Sequence, residues 1–200
     1  MLDIFLQTLP FFALIGLGYG AGRTGFFTPE ATAYLTKFVF YFALSAMLFR
    51  FSANLSLGEI LDWPFVFAYL WGTLFVYLIA TGAALLRKRG IEEAAVEAQT
   101  AVIGNVGFLG IPMLVLLLGD AAIGPVMMVL AVDLIVFGSL IVILITGSRD
   151  GRMSLGVLRT VGLGLLKNPM IVSITLGLIV SGFAWPIPKP VNEFLNLLGA

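Results

Sequence analysis

Residues 104–112 read Gly104-Asn105-Val106-Gly107-Phe108-Leu109-Gly110-Ile111-Pro112, and they interrupt an apolar stretch otherwise long enough to cross a bilayer. Three glycines, an asparagine and a proline within nine residues are poor helix material. Hydrocarbon offers no water to an unpaired N–H or C=O. Irregular backbone therefore persists at membrane depth only where protein buries it or where it lines a cavity. A helix broken there is a candidate binding site. A proline kink with packing glycines is the alternative, and these nine residues alone leave both open.

Composition sets the class around that stretch. The chain is 60% apolar and 11% charged, with 17 Phe and a mean hydropathy of +1.08. A soluble domain carries roughly twice the charge. Several runs reach the ~20 apolar residues that a spanning helix needs, so the fold class is an all-α polytopic membrane protein. The absence of cysteine and histidine excludes disulfides, thiol chemistry, histidine-held metals and histidine general bases. No cofactor or metal is expected. Zero net charge without a basic tail gives no reason to expect nucleic acid. Met1-Leu2-Asp3 lacks the cationic start of a signal peptide, so the first apolar run is read as a span.

Six spans and the start of a seventh follow. They cover about 4–21, 31–51, 63–86, 94–118 (broken at 104–112), 121–146 and 168–183, with an amphipathic approach to the sixth and residues 186–200 opening the next. Thr28-Pro29-Glu30 caps the second. Gly16, Gly18, Gly20 and Gly22 permit close packing of the first. Trp63 and Trp71 are interface anchors on the third. Loops after spans one, three and five carry Arg23, Arg87, Lys88, Arg89, Arg149, Arg152, Arg159 and Lys167, against Arg50 and Lys189 on the other side. The positive-inside rule makes the first group cytoplasmic and puts the N-terminus outside.

A faint internal repeat has an offset of 159 residues: Pro10 with Pro169, Ile15 with Ile174, Leu17 with Leu176, Gly18 with Gly177, Pro29 with Pro188. A repeat of five spans forces its second copy to enter the membrane inverted, a common build of secondary transporters. The chain then divides into a first five-helix repeat, 1–166, and the start of a second, inverted one, 167–200. The second would be truncated at Ala200, as in a piece of a larger protein.

Two places carry candidate chemistry. About ten residues of half-helix precede the break, or ~15 Å at 1.5 Å per residue, which sets it near mid-depth. Half-helix ends carry about half a unit charge each. The end starting near Pro112 favours an anion through its bare N–H groups, and Asn105 adds an amide that donates and accepts. Asp133, central in span five, costs ~2.5–3.5 kcal/mol on insertion scales and marks an ion or proton pathway. Its alternatives are a structural pairing, most simply with Lys37, and a permanently protonated carboxyl bonded to a neighbouring helix. Lys37 itself is read as snorkelling to the interface. The stripe Tyr69, Thr73, Tyr77 and Thr81 is read as interhelical hydrogen bonding, as is the row Lys37, Tyr41 and Ser45. Arg87-Lys88-Arg89 with Glu92, Glu93 and Glu97 is a solvated turn.

The 104–112 segment resembles the fourth-helix motif of the auxin efflux carrier family, whose bacterial members are permeases. Leu35 to Phe49 is similar to the family's second helix, and Asn168 to Gly177 to its sixth. The resemblance covers essentially the whole chain. It implies ten helices in two inverted five-helix repeats, with broken helices four and nine crossing in a transport domain. Helices one, two, six and seven would form a scaffold and dimer surface, so a homodimer in the inner membrane is implied. By the same resemblance Asn105 meets the substrate carboxylate and Pro112 is the crossover proline. The substrates it implies are organic anions, auxin and dicarboxylates among them. Ser45 stands where the family's second helix often has proline, and helices eight to ten lie beyond Ala200.

The resulting expectation is a secondary transporter, not an enzyme, moving a small organic anion by alternating access. Asn105 with Gly104, Gly107 and Gly110 would hold the substrate, Pro112 would fix the break, and Asp133 would support proton or sodium coupling. The alternatives are a sodium-coupled symporter of the bile-acid type and a non-transporting membrane scaffold or sensor. An intramembrane protease fits poorly, since no histidine exists for a Ser/His dyad and Leu118-Gly119-Asp120 lacks the glycine that precedes the aspartyl-protease motif.

Overall fold

A computed structural model describes residues 2–54, 62–150 and 155–199. Arg152, counted above among the basic loop residues, lies outside the described residues, as do Met1 and Ala200. No strand occurs among the described residues. The helices are α1 (Leu2–Arg23), α2 (Pro29–Asn54), α3 (Trp63–Leu86), α4 (Ile91–Val102) and α5 (Ile111–Leu118). After them come α6 (Asp120–Arg149), α7 (Leu155–Lys167), α8 (Pro169–Gly182) and α9 (Lys189–Leu198).

Local chemistry starts and stops these helices. Thr28 Oγ1 accepts from Ala31 N at 3.2 Å with Pro29 in the first turn, the cap read from the sequence. Asp62 caps α3 through Phe65 N at 3.1 Å. Asn168 caps α8 through Met170 N at 2.9 Å. Each side-chain oxygen satisfies an amide that the first turn leaves without an intrahelical partner. Gly119 ends α5 at φ +74°, a conformation that side-chain-bearing residues adopt at a cost.

Among the described residues five helical stretches are long and apolar enough to cross a membrane: Ile4–Arg23, Pro29–Asn54, Trp63–Leu86, Ile91–Leu118 and Asp120–Arg149. The sixth expected span differs in form. Gly156–Lys167 and α8 meet at a 63° bend, and only together are they long and apolar enough for a span, the form of a broken span or a re-entrant loop. The bend falls at Asn168-Pro169, where the proline cannot donate to the preceding turn and the asparagine caps the following one.

α6 stands between two cores. On one side Leu44 and Leu48 of α2, Ile111 of α5, Met170 of α8 and Ile123, Val126, Met127 and Leu130 of α6 pack together. On the other, Tyr77 of α3, Ala98 of α4 and Val132 and Phe137 of α6 form a second cluster. The α2–α8 crossing is the tightest contact. A Cβ built on Gly177 would sit 2.6 Å from the Phe49 carbonyl oxygen and 2.6 Å from Ser52 Cβ. Small residues are what bring helix backbones close in lipid. The glycine run of α1 does not act this way among the described residues: Gly16, Gly18, Gly20 and Gly22 have nothing within 4 Å of a built Cβ. α1 touches α5 and leaves Leu17 and Tyr19 about 70% exposed, at 70% and 71%.

Candidate functional site

The break in the fourth span is narrower than its composition suggests. α4 ends at Val102, Ile103 is extended (φ −93°, ψ 117°), and Asn105 is non-helical at φ −83°, ψ 64°. Helical backbone resumes at Val106 as one π-helical turn, Val106–Gly110, which runs directly into α5. Its signature is Gly110 N donating to Asn105 O at 2.9 Å, five residues back. The helix end is therefore at Asn105 rather than at Pro112. Pro112 thus lies inside a continuous helix, just past the π-helical turn, and cannot donate to the turn before it.

Asn105 caps this second half. Its Oδ1 accepts from Phe108 N at 3.2 Å, and its side chain is exposed. Among the described residues the amides of Gly104, Asn105, Val106 and Gly107 make no hydrogen bond. Four successive bare N–H groups at a helix start form an anion-favouring end. With Oδ1 engaged, the Asn105 Nδ2 hydrogens add donors to the same end.

The three glycines differ in what surrounds them. Gly107 is buried where α2, α6 and α8 converge, and a Cβ there would meet Met170 Cε at 3.0 Å and Leu44 Cδ2 at 3.8 Å. Gly110 would meet only its own turn, at 3.6 Å from Asn105 O, and Gly104 has nothing within 4 Å. Phe108 stacks on Phe40 at 6.5 Å. The break thus joins the two cores, with Val102 and Ile103 packed against the second and Val106 and Ile111 in the first.

Asp133 is buried, 5% exposed, in the second core's flank. Tyr69 Oη donates to its Oδ1 at 2.7 Å, linking α3 to α6. Its Oδ2 has no hydrogen-bond partner, and neither do Tyr77 Oη and Gln99 Oε1. Lys37 does not supply the pairing. It lies exposed with its ammonium 5.8 Å over the Tyr34 ring. The hydroxyl stripe divides: Tyr69 reaches across to α6, whereas Thr81 bonds its own helix at Tyr77 O, 2.8 Å. Ser45 likewise bonds Phe40 O at 3.2 Å.

Sequence reading missed the π-helical turns. Val39–Ala43 in α2, Val106–Gly110 and Asp133–Phe137 in α6 each insert one such turn. Single π turns favour functional positions in helices, and here one follows the break and another begins at the buried aspartate. The three share no composition that marks a π turn: Val39–Ala43 is plain apolar helix, Val106–Gly110 holds two glycines and Asp133–Phe137 begins at the aspartate. At the basic end, Arg87 pairs with Glu97, Arg89 with Glu93 at 3.5 Å, and Arg149 with Glu92 at 3.0 Å. These exposed pairs contribute little stability, but Arg149–Glu92 fixes the end of α6 beside the start of α4.

Comparison with known proteins places this architecture. A family model described as "Membrane transport protein" matches residues 3–200. A protein of Rhizobium meliloti (strain 1021) named "Putative malonate transporter" is 25% identical over 203 residues, covering 99% of this chain and 62% of that relative. The chain thus spans less than two thirds of the relative's length.

Proposed function

The chain belongs to the membrane transport protein family, and we propose that it works in a secondary transporter that moves a small organic anion across the membrane by alternating access. The membrane-spanning, multi-pass character follows from the family and the five long apolar helices. The observation that carries the substrate class is the helix start at Asn105, with four unbonded amides and an exposed carboxamide at one point of a broken span. A carboxylate matches that end in charge and geometry. The name of the Rhizobium relative, a malonate transporter, supports a dicarboxylate.

In this reading Asn105 Nδ2 and the Gly104–Gly107 amides hold the carboxylate. Gly104 and Gly110 place no side chain beside the break, Gly107 lets α2, α6 and α8 close around it, and Pro112 fixes the helix just past the π turn. The buried acceptors Asp133 Oδ2, Tyr77 Oη and Gln99 Oε1 support coupling to a proton or a sodium ion. The chain would supply a first five-helix repeat and the start of an inverted second one, with basic loops cytoplasmic in an inner membrane and a homodimer built on the scaffold helices.

Reconstituted protein should take up labelled malonate saturably, and Asn105→Ala should cut uptake at least tenfold at low substrate. Unchanged uptake by that variant at every malonate concentration would remove Asn105 as the anchor. Imposing a sodium gradient and a pH gradient separately identifies the coupling ion.

A further inference from the structure

At the end of the molecule away from the paired basic residues, the last turns of α2, the start of α6 and α9 enclose a cavity of about 630 Å³. Its volume lies within the ~300–1,000 Å³ usual for small-molecule sites. Unlike the apolar clefts between the other helices it is lined by polar side chains, Arg50, Asn54, Asp120, Asn192 and Asn196. Arg50 is half-buried. Its Nη1 donates to Asn196 Oδ1, and its guanidinium lies 5.1 Å over the Phe51 ring. Among the described residues no carboxylate forms an ion pair with it. A guanidinium has five N–H donors, and a neutral amide uses only part of them. Among the described residues the charge is held in place by an amide and an aromatic face, with no carboxylate paired to it.

The cavity also has a neighbour on the way to the broken helix. Ala121 and Pro125 line it and equally line a second, apolar cavity of about 400 Å³ that reaches Val106 and Gly110 of the π turn. The two share a wall at the first turns of α6.

We propose that the Arg50 cavity is a carboxylate-docking vestibule, in which the guanidinium takes the anion by exchanging Asn196 for it before the anion reaches Asn105. The proposal rests on the organic-anion permease reading. Two parallel N–H···O bonds from Arg to a carboxylate are stronger and more directional than one bond to an amide, so the exchange is favourable while Asn196 remains a partner for the empty state. Asp120 lines the same cavity and opposes an arriving anion, which keeps affinity low enough for release toward Asn105.

Malonate uptake by the intact protein in proteoliposomes tests this through concentration dependence. Arg50→Gln should raise the half-saturating concentration about tenfold, equivalent to ~1.4 kcal/mol of binding, with the deficit shrinking as malonate rises. Arg50→Lys should fall between. Asn54→Asp, which keeps the arginine and adds a negative charge, should also raise it, and Asp120→Asn should lower it. Saturable wild-type uptake with all four half-saturation values unchanged overturns the vestibule and leaves the permease reading standing. Wild-type protein that neither binds nor transports malonate or other small carboxylates overturns both.

Discussion

At the scale of single residues, the hydrogen bond from Tyr69 to Asp133 matters most for stability. Tyr69→Phe keeps the ring and removes the donor, leaving both oxygens of a buried carboxyl without a protein partner. An abandoned buried acceptor costs about 1–3 kcal/mol, so thermal unfolding in detergent should shift clearly downward. Thr81→Val, whose hydroxyl serves only its own helix, should leave the transition near wild type. Asp133→Asn retains an acceptor for Tyr69 and should melt near wild type, while uptake should no longer respond to the coupling gradient. Full gradient response in that variant would remove Asp133 from coupling. The aspartate was legible in the sequence because a lone acidic residue amid apolar ones admits few explanations. Its partner was not. Charge complementarity pointed to Lys37, but nearly all-apolar helices leave their rotation about the axis unspecified, and the rotation found here turns Tyr69 to Asp133 and Lys37 outward.

Among elements, the decisive contacts are those where backbone meets backbone. Gly177→Ala would push a methyl group against Phe49 O and Ser52 Cβ, each 2.6 Å away, and against Ala53 N at 3.0 Å. Neither helix backbone can yield as a side chain would, so overpacking of about 1–3 kcal/mol or more is expected. Gly107→Ala meets the mobile tip of Met170 at 3.0 Å and should cost less, and Gly104→Ala meets nothing. The expected order of melting temperatures is therefore Gly104→Ala, then Gly107→Ala, then Gly177→Ala as the lowest. A Gly177→Ala protein as stable as Gly104→Ala would refute the tight α2–α8 crossing. The existence of the break was readable from glycine, asparagine and proline density. Its extent was not, because a π turn absorbs Gly107 and Gly110 into helix and leaves Pro112 inside that continuous helix, just past the turn. The glycine run of α1 has no close partner among the described residues: spacing shows where a close approach is permitted, and only a partner helix decides where it occurs.

For the whole molecule, the distribution of basic residues predicts which end faces the cytoplasm, and the fold makes that prediction testable at few sites. The ion pairs Arg87–Glu97 and Arg149–Glu92 hold the ends of α3 and α6 and the start of α4 together. The end of α2 and α9 meet at the opposite end through Arg50 and Asn196. Each end therefore gathers several helix termini, and labelling an exposed residue of one reports the side of the others. These 200 residues contain no cysteine, so each introduced thiol is unique among them. Thr24→Cys and Glu93→Cys mark the basic end, and Asn54→Cys and Glu193→Cys mark the other; all four positions are exposed. With a membrane-impermeant maleimide on intact cells, Asn54→Cys and Glu193→Cys should label at once. Thr24→Cys and Glu93→Cys should label only after permeabilisation. The reversed pattern would place the basic loops outside against the positive-inside rule and turn the Arg50 cavity toward the cytoplasm, making it an exit rather than an entrance. Residues of one end labelling from different sides would contradict the crossing order of α1 to α6 itself, and with it the inverted second repeat, whose orientation depends on an odd number of crossings before α8.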